Sequence, residues 1–547
     1  MVRIFRAAIV AAATILVQMV SACAGAAVVN APAGPVRGVE SEGLLIFKGV
    51  PYAVAPVGDL RWKPPVAAPA WSDEFDASEF GPACVQPTRR VVSIYAEDLA
   101  ATSEDCLSLN IWAPKDARNA PVFFWIHGGS LTSGSSSQAA YNGAELAKSG
   151  LVVVSINYRM GILGYLAHPE LSAESPDNVS GNYGLLDQIA ALEWVQRNIA
   201  AFGGDPANVT IAGESAGALS VMYLMAAPPA RGLFAKAVAQ SAYMLSMPEL
   251  REARHGMPPS EAVGVWLAGK LGAETIAELR ARDADEITNA VVGTGFLPWG
   301  TIDGVTLPRQ LVDVFDRGEQ APAPILAGFN EGEIRSLRAL LPPAPESKVK
   351  YKEAIRTGYG DLADRFLEFY PVSDIDESML ATTRDAMYGW TSERLVARQT
   401  DLGAPSYLYF WDHGYPSANR DGLHAFHASE IPYVFGTMAL TAKAWPKAPD
   451  NAAERELSNA MLSYWSSFAK TGVPSAEGQP DWPPYADDES YMHFDKTPKP
   501  ARHVLPGRYE LHEEVVCRRH AAGDVAWNWN VGVIAPPLPP LAPGRQC

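Results

Sequence analysis

A serine at position 215 lies on a predicted strand-to-helix turn, and this turn constrains the fold more than any other feature of the sequence. The β-rich run NVTIA at 208–212 leads into GESAG at 213–217, and ALSVM at 218–222 can begin a helix. A sharp turn of this kind pushes the Ser215 hydroxyl out of the sheet and leaves the Ala216 N–H free at the helix N-terminus. The pentapeptide G-x-S-x-G alone is a weak signal, but its strand and helix context predicts a nucleophilic serine.

Buried strands and helices alternate on both sides of this turn. The apolar runs at 122–126 and 151–157 are typical of buried parallel strands, and residues 183–202 have a helical pattern that ends at GGDP, 203–206. This alternation predicts an α/β fold with a mostly parallel central sheet and helices on both faces. The other expected elements are a short helix at 140–149, strands at 237–240 and 325–328, a helix-rich region at 250–400 over the active site, and a long helix at 450–470.

The composition is that of a large globular protein with an acidic surface. The chain has 547 residues, of which 48% are hydrophobic, and its formal net charge is −17. Negative charge disfavours binding to nucleic acid or to anionic membranes, so neither partner is expected. Solubility is the simplest role of this charge, and steering of cationic substrates is the alternative.

The start of the chain is typical of a secretory signal peptide. A positively charged beginning precedes an uncharged apolar run at 7–20, which is too short for a convincing transmembrane helix. Two cleavage patterns compete: AGA at 24–26 fits signal peptidase, whereas VSAC at 20–23 resembles a lipobox that would lipidate Cys23. We expect a secreted or periplasmic protein, with an outer-membrane lipoprotein as the alternative, and no transmembrane segment elsewhere in the chain.

Four cysteines remain once Cys23 is removed or lipidated. They are Cys84, Cys106, Cys517 and Cys547. Four cysteines in an exported chain predict two disulfides, for which three pairings are open. The local pairing, 84 with 106 and 517 with 547, would leave the centre of the chain without crosslinks. No Cys-x-x-Cys or His/Cys cluster indicates a metal site.

Three segments follow from these patterns. We expect a signal peptide at 1–26, one catalytic domain at 27–516, and a Pro-rich C-terminal tail at 517–547 that is stapled by a disulfide. A single catalytic domain is expected because α/β enzymes often exceed the usual domain length.

Seven short motifs spread along nearly the whole mature chain resemble those of one enzyme family. They are FKGVPYA at 47–53, LRW at 60–62, SEDCLSLNIW at 103–112, GNYGLLDQ at 181–188, FGGDP at 202–206, YLYF at 407–410 and HASEIPYVFG at 427–436. On these residues the chain resembles the type-B carboxylesterases, which include bacterial para-nitrobenzyl esterases, cholinesterases and the non-catalytic neuroligins. The resemblance implies the α/β-hydrolase fold, a small-molecule ester as substrate, and no cofactor.

The resemblance also implies partners for Ser215. Eight histidines follow this serine, and periodicity cannot choose among them. The family's base opens an H-x-x-E-[IL]-P-[FY]-V-F-G motif, which is His427 here, so His424 becomes a loop neighbour. The family's acid lies in N-x-x-E-G, which implies Glu333. Because Ile334 replaces that glycine, Glu331 stays open as an alternative, although the spacing from Asn330 favours Glu333.

The oxyanion hole is expected in the loop HGGSL at 127–131. The matching backbone N–H donors are those of Gly129 and Ser130, which join the N–H of Ala216. Ser130 stands where the family commonly has glycine or alanine. Beside the nucleophile, Glu214 occupies a position where the family often has a carboxylate, and either a role in tuning the field of the site or a structural role is open.

The resulting prediction is a secreted serine carboxylesterase that acts through a Ser-Glu-His triad and an acyl-enzyme. Its base must be neutral, so activity is expected to fall below a histidine pKa of about 6.5 before perturbation. One alternative is a cholinesterase-like enzyme for cationic esters. It is weakened because the segment between Cys84 and Cys106 has no tryptophan to stack on a quaternary ammonium, Tyr95 being its only aromatic ring.

A non-catalytic binding protein of the same fold is the other alternative. Non-catalytic proteins of this fold lack the nucleophilic serine, whereas this chain has it at position 215. The sequence decides neither the ester nor the oligomeric state.

Overall fold

A computed structural model describes residues 25–88, 93–486, 488–528, 530–541 and 547. Most of the expected signal peptide, including Cys23, lies outside the described residues. The first strand begins at Gly25, so cleavage after residue 26 would fall inside that strand. In the described part of the chain no helix combines the length and apolar character needed to cross a membrane.

The strands divide into a large sheet and a small two-stranded one. Their bounds are β1 Gly25–Ala31, β2 Gly34–Ser41, β3 Leu44–Pro51, β4 Phe75–Asp76, β5 Ala83–Cys84, β6 Thr102–Ser103, β7 Ser108–Pro114, β8 Ala120–Ile126, β9 Val152–Ile156, β10 Gly204–Glu214, β11 Lys236–Gln240, β12 Ile325–Asn330, β13 Ser406–Trp411, β14 Ser490–Phe494 and β15 Pro498–Arg502.

The large sheet has a parallel centre and antiparallel edges. Among the described residues it contains thirteen strands in the order β1-β2-β3-β7-β9-β8-β10-β11-β12-β13-β14-β15, with β4 beside β2. Every neighbouring pair from β9 to β14 is parallel, whereas β1 to β9 at one edge and β14–β15 at the other pair antiparallel. The prediction of a mostly parallel central sheet is therefore confirmed, and the antiparallel edges are additions that the sequence patterns did not predict.

Helices connect these strands and cover the sheet. Their bounds are α1 Ala144–Lys148, α2 Gly161–Tyr165, α3 Pro169–Glu174, α4 Tyr183–Asn198, α5 Ala216–Ala226, α6 Ser260–Lys270, α7 Ile276–Arg280, α8 Ala284–Val291, α9 Leu311–Asp316, α10 Lys348–Tyr359, α11 Ala363–Phe369, α12 Ile375–Arg384, α13 Trp390–Asp401, α14 Pro416–Arg420, α15 Ile431–Phe435, α16 Ala452–Thr471 and α17 Arg508–Ala522. A π-helical turn at Asp385–Gly389 joins α12 to α13.

Both faces of the sheet are buried, which explains why its central strands are continuous apolar runs. In β8, Phe124 packs into a cluster with Leu192 of α4, while Phe123 and Trp125 face the opposite side and pack into a cluster with Trp465 of α16. Side chains alternate across a strand, so a strand covered on both faces needs apolar residues at every position.

The expected tail boundary at residue 517 lies inside α17, which continues to Ala522. The helix therefore carries Cys517 to its partner Cys547, and the second disulfide joins Cys84 to Cys106. Of the three pairings left open by the sequence, the structure has the local one.

A matched pair of glycines in α6 tests how closely this helix packs on the fold. A Cβ on the buried Gly264 would lie 1.8 Å from the carbonyl oxygen of Ala167, whereas a Cβ on the exposed Gly269 would meet nothing within 4 Å. We expect Gly264→Ala to destabilise the protein by about 1–3 kcal/mol through overpacking. Gly269→Ala should stabilise it by about 0.5–1 kcal/mol because alanine favours a helix. Thermal unfolding of both variants checks this, and equal melting temperatures would contradict the packing.

Candidate active site

The turn between β10 and α5 holds Ser215 in a strained backbone conformation. Its φ of 57° and ψ of −121° lie outside the regions that L-residues favour. The turn closes only because its flanking residues are glycines. A Cβ on Gly217 would lie 2.1 Å from the carbonyl oxygen of Ile126, and one on Gly213 would lie 2.4 Å from the carbonyl carbon of Gly217. Ser215 is 8% exposed, so its side chain reaches a confined space rather than open solvent.

His427 lies in a loop that is hydrogen-bonded to the end of β12. The N–H of Gly332 donates to the carbonyl of Ala425 over 2.8 Å, and the side-chain amide of Asn330 donates to the carbonyl of Phe426 over 2.9 Å. Glu333 completes this attachment, because its Oε2 contacts His427 Nδ1 at hydrogen-bond distance. Its other oxygen accepts the backbone N–H of Asn330 over 2.8 Å. The structure therefore brings the expected acid and base together.

The alternative acid and the neighbouring histidine lie elsewhere. The carboxylate of Glu331 faces Arg384 at 3.4 Å and Arg335 at 3.8 Å. His424 is exposed. Of the two candidate carboxylates, only Glu333 contacts the His427 ring.

Glu214 lies on the other side of the same imidazole. Its Oε1 is 3.0 Å from His427 Nε2, but the two atoms are not aligned for a hydrogen bond. The polar contacts of the His427 ring within the described residues are with Glu333 and Glu214, and a hydrogen bond to Ser215 Oγ is not among them. Among the described residues Nε2 therefore has no hydrogen bond, although it lies close to the Glu214 carboxylate.

A third carboxylate, Glu430, lies behind these groups. It is fully buried, and it accepts from the amide of Gln240 over 3.0 Å and from that of Asn330 over 2.6 Å. The sequence contains a signal for this residue, since it follows His427 by three positions in the motif that identified the histidine. The motif alone predicted no role for it.

Burial and mutual repulsion shift the titration of this cluster. Burial raises the pKa of Glu214 to about 8 and that of Glu430 to about 7. Burial alone would lower the pKa of His427, but the carboxylates of Glu214 and Glu333 outweigh it and raise this pKa to about 9. The unperturbed value of about 6.5 therefore does not apply to this histidine, because these buried carboxylates lie against the ring.

The loop after β8 lies directly against the serine turn. A Cβ on Gly128 would be 2.9 Å from the carbonyl oxygen of Glu214 and 3.2 Å from Cβ of Ser215. Three consecutive residues have positive φ: 107° at Gly129, 56° at Ser130 and 56° at Leu131. This folds the loop back on itself, and Thr132 and Ser133 both donate to the carbonyl of Gly129.

The expected oxyanion donors are backbone N–H groups in the loop after β8 and at the start of α5. Within the described residues, no protein acceptor is bonded to the backbone N–H of Gly129 or Ser130. The N–H of Ala216 is at the first position of α5, where intrahelical acceptors do not exist. These three groups are free to bind an oxygen of a ligand.

Tyr388 lies beside His427 and was not predicted as its neighbour. The ring centroid of Tyr388 lies 5.3 Å from that of His427, and Tyr243 packs edge-on against Tyr388. Tyr388 belongs to the π-helical turn, a local distortion that has no sequence signature here. Trp390, the first residue of α13, is buried, and its indole N–H donates to Glu513.

The site contains no metal-binding arrangement among the residues that the structure describes. No group of three or more His, Cys, Asp or Glu side chains there is placed to hold an ion.

Comparison with known proteins agrees with the fold and with the esterase prediction. Residues 25–511 match the model of the carboxylesterase family. The chain is 38% identical to the fumonisin B1 esterase of Sphingopyxis macrogoltabida, over 84% of this chain and 85% of that protein. It is 35% identical to the para-nitrobenzyl esterase of Bacillus subtilis, over 84% and 93%. A solved PNB esterase structure superposes with a TM-score of 0.76 at 31% identity, covering 88% of this chain and 99% of that one.

The family match at residues 25–511 extends over the strands and loops that build the serine turn, the loop after β8 and the His427 loop. Relatives above 30% identity cover more than four fifths of the chain, which is enough to show the family and its chemistry. The chain therefore belongs to the carboxylesterase family, α/β-hydrolases that hydrolyse carboxylic esters.

Proposed function

We propose that this carboxylesterase is an exported serine enzyme with the triad Ser215, Glu333 and His427. The observation that carries this proposal is the buried His427 ring, whose Nδ1 contacts Glu333 while its Nε2 makes no hydrogen bond to the residues that the structure describes. An imidazole held at one nitrogen by a carboxylate and free at the other is the arrangement that a general base requires. A non-catalytic protein of this fold has no need of it.

In the proposed reaction His427 Nε2 takes the proton of Ser215 as its Oγ attacks the ester carbonyl carbon. Glu333 keeps the remaining ring proton on Nδ1 and stabilises the imidazolium that forms. The backbone N–H groups of Gly129, Ser130 and Ala216 stabilise the oxyanion. The imidazolium then protonates the leaving alcohol, and water hydrolyses the acyl-enzyme by the same steps.

Export is supported by the N-terminal sequence and by the two disulfides. Disulfides persist in oxidising compartments and are rare in the cytosol. We propose simple secretion or release into the periplasm, and lipidation at Cys23 is the alternative. A mass measurement of the mature N-terminus distinguishes the two.

Removal of the nucleophile tests the mechanism. We expect Ser215→Ala to lower kcat on p-nitrophenyl butyrate by as much as about 10⁶-fold, because loss of a triad nucleophile leaves only binding and oxyanion stabilisation. Ser466→Ala is the matched control, since it removes another buried serine hydroxyl, one that bonds the carbonyl of Leu462 in α16. A loss of only a few-fold in the Ser215 variant would overturn the serine mechanism.

Two nearby glutamates allow the acid to be assigned. Glu333→Gln should lower kcat by about 10⁴-fold, the cost of the equivalent Asp-to-Asn change in a known triad. Glu331→Gln makes the same chemical change two residues earlier, on a side chain that forms ion pairs with Arg335 and Arg384. It should change kcat by less than about three-fold. Steady-state kinetics of both variants checks the assignment, and the reverse pattern would make Glu331 the acid.

The carboxylate of Glu214 should set the acid limb of the pH profile, which is the fall of kcat/KM toward low pH. His427 must be neutral to act as base, so activity falls as the pH drops through its raised pKa. Glu214→Gln removes the largest of the effects that raise this pKa, so the limb should move to lower pH. We expect this displacement in kcat/KM measured between pH 5 and 10. An unchanged limb would show that Glu214 does not act on the base.

A further inference from the structure

The segment closed by the Cys84–Cys106 disulfide reaches the base of the proposed triad. Tyr95 in this segment donates its hydroxyl to the backbone carbonyl of His427 over 2.8 Å. The same hydroxyl lies 2.6 Å from Oγ of Ser336, three residues after Glu333. Because Tyr95 donates to the carbonyl, Ser336 is the donor in this second contact. One phenol oxygen therefore joins the loop of the base to the chain segment of the acid.

The ring of Tyr95 is also fixed. It packs edge-on against the imidazole of His427, with centroids 6.3 Å apart, and edge-on against Trp445 at 5.6 Å. Burial raises the pKa of Tyr95 well above its usual value, so its hydroxyl stays protonated and able to donate across the working pH range.

The contact with the His427 carbonyl completes a series. The carbonyls of residues 425, 426 and 427 each accept a hydrogen bond from outside the loop, and the first two of these bonds come from Gly332 and Asn330 at the end of β12. The third comes from Tyr95, which lies more than 300 residues away in the chain. It acts at the peptide that precedes Ala428, whose φ of 64° is a left-handed conformation that costs a non-glycine residue energy. The Tyr95 hydroxyl thus stabilises the backbone where it is strained.

We propose that Tyr95, which lies between the disulfide-bonded Cys84 and Cys106, is a positioning residue for His427. This proposal rests on the triad assignment given above. Tyr95 does not touch the reacting atoms. It holds the carbonyl of His427, so that the ring keeps its place between Glu333, Glu214 and the serine turn, with Glu430 and Tyr388 behind and beside it.

The test removes one oxygen atom and keeps the ring. Tyr95→Phe should lower kcat on p-nitrophenyl butyrate by about 5- to 10-fold, the effect of losing one hydrogen bond, with KM changed less than two-fold. It should also move the acid limb of the pH profile to lower pH, because a looser ring contacts the carboxylates less closely. The initial burst of p-nitrophenol gives the active fraction, which separates slower turnover from loss of folded enzyme.

Tyr351→Phe is the matched control. Its hydroxyl also donates to a backbone carbonyl, that of Tyr370, at 3.0 Å, and it lies in a separate cluster with α10 and α11. This variant should leave both kcat and the acid limb unchanged. Equal behaviour of the two phenylalanine variants would overturn the positioning role. That result would leave the triad standing, since the triad depends on the Ser215 and Glu333 variants.

The disulfide gives a second, independent test. Removing it by Cys84→Ala with Cys106→Ala should lower kcat about as much as Tyr95→Phe does. When the cysteine changes are made in the Tyr95→Phe variant, they should lower kcat by less than a further two-fold. Such non-additivity is expected if the crosslink acts through the tyrosine. Removing the other disulfide, Cys517→Ala with Cys547→Ala, should not depend on residue 95. Equal losses in both backgrounds for the Cys84 pair would show that the segment does not act through Tyr95.

Discussion

The contact between Glu333 and His427 is the interaction on which the rest of this site depends, because it places charge where water cannot reach. Both side chains are buried, as are Glu214 and Glu430, and burying a charge is costly unless it is paired and hydrogen-bonded. The fold meets this requirement with amides from neighbouring strands. Asn330 at the end of β12 bonds both Glu333 and Glu430, and Gln240 at the end of β11 bonds Glu430.

Gln240 extends the network in two further directions. Its side-chain oxygen accepts from the indole of Trp465 in α16, and its backbone carbonyl accepts the N–H of Ser215. The nucleophile turn, the carboxylate cluster and the helix on the opposite face of the sheet are therefore held by one glutamine. A strand shifted by one residue would turn these polar groups toward the wrong face and leave buried charge without partners.

The sequence predicted the centre of this arrangement and missed its surroundings for identifiable reasons. Strands β8 and β9 are almost continuously apolar, a pattern typical of strands covered on both faces, so the sequence predicted them. In the antiparallel strand β2, buried and partly buried residues alternate. Its glycines and small residues make the matching alternation of apolar and polar side chains weak in the sequence. The pairing of His427 with Glu333 came from motif resemblance, since nothing in either segment alone indicates the other.

Other features had no local signal at all. Tyr95 acts through the groups that its hydroxyl contacts, the His427 carbonyl and Ser336, and Tyr388 lies in a π-helical turn. The raised pKa of His427 likewise results from three carboxylates, and two of them, Glu214 and Glu333, lie far from it in the chain. Sequence patterns report the surroundings of each residue along the chain, whereas these properties depend on contacts between distant segments.

The way these distant segments meet follows from the parallel sheet. The carboxyl ends of parallel strands lie at one edge, so the loop after β8, Ser215 after β10 and Glu333 after β12 are gathered there by the sheet itself. The histidine loop follows β13, which pairs with β12, and it needs additional attachment because it is long and contains a strained residue. Gly332 and Asn330 attach it from the acid's side. Tyr95 lies in the N-terminal part of the chain, whose strands pair antiparallel in the large sheet. The Cys84–Cys106 disulfide and the Tyr95 hydroxyl therefore supply a constraint on the histidine loop that the order of the parallel strands does not.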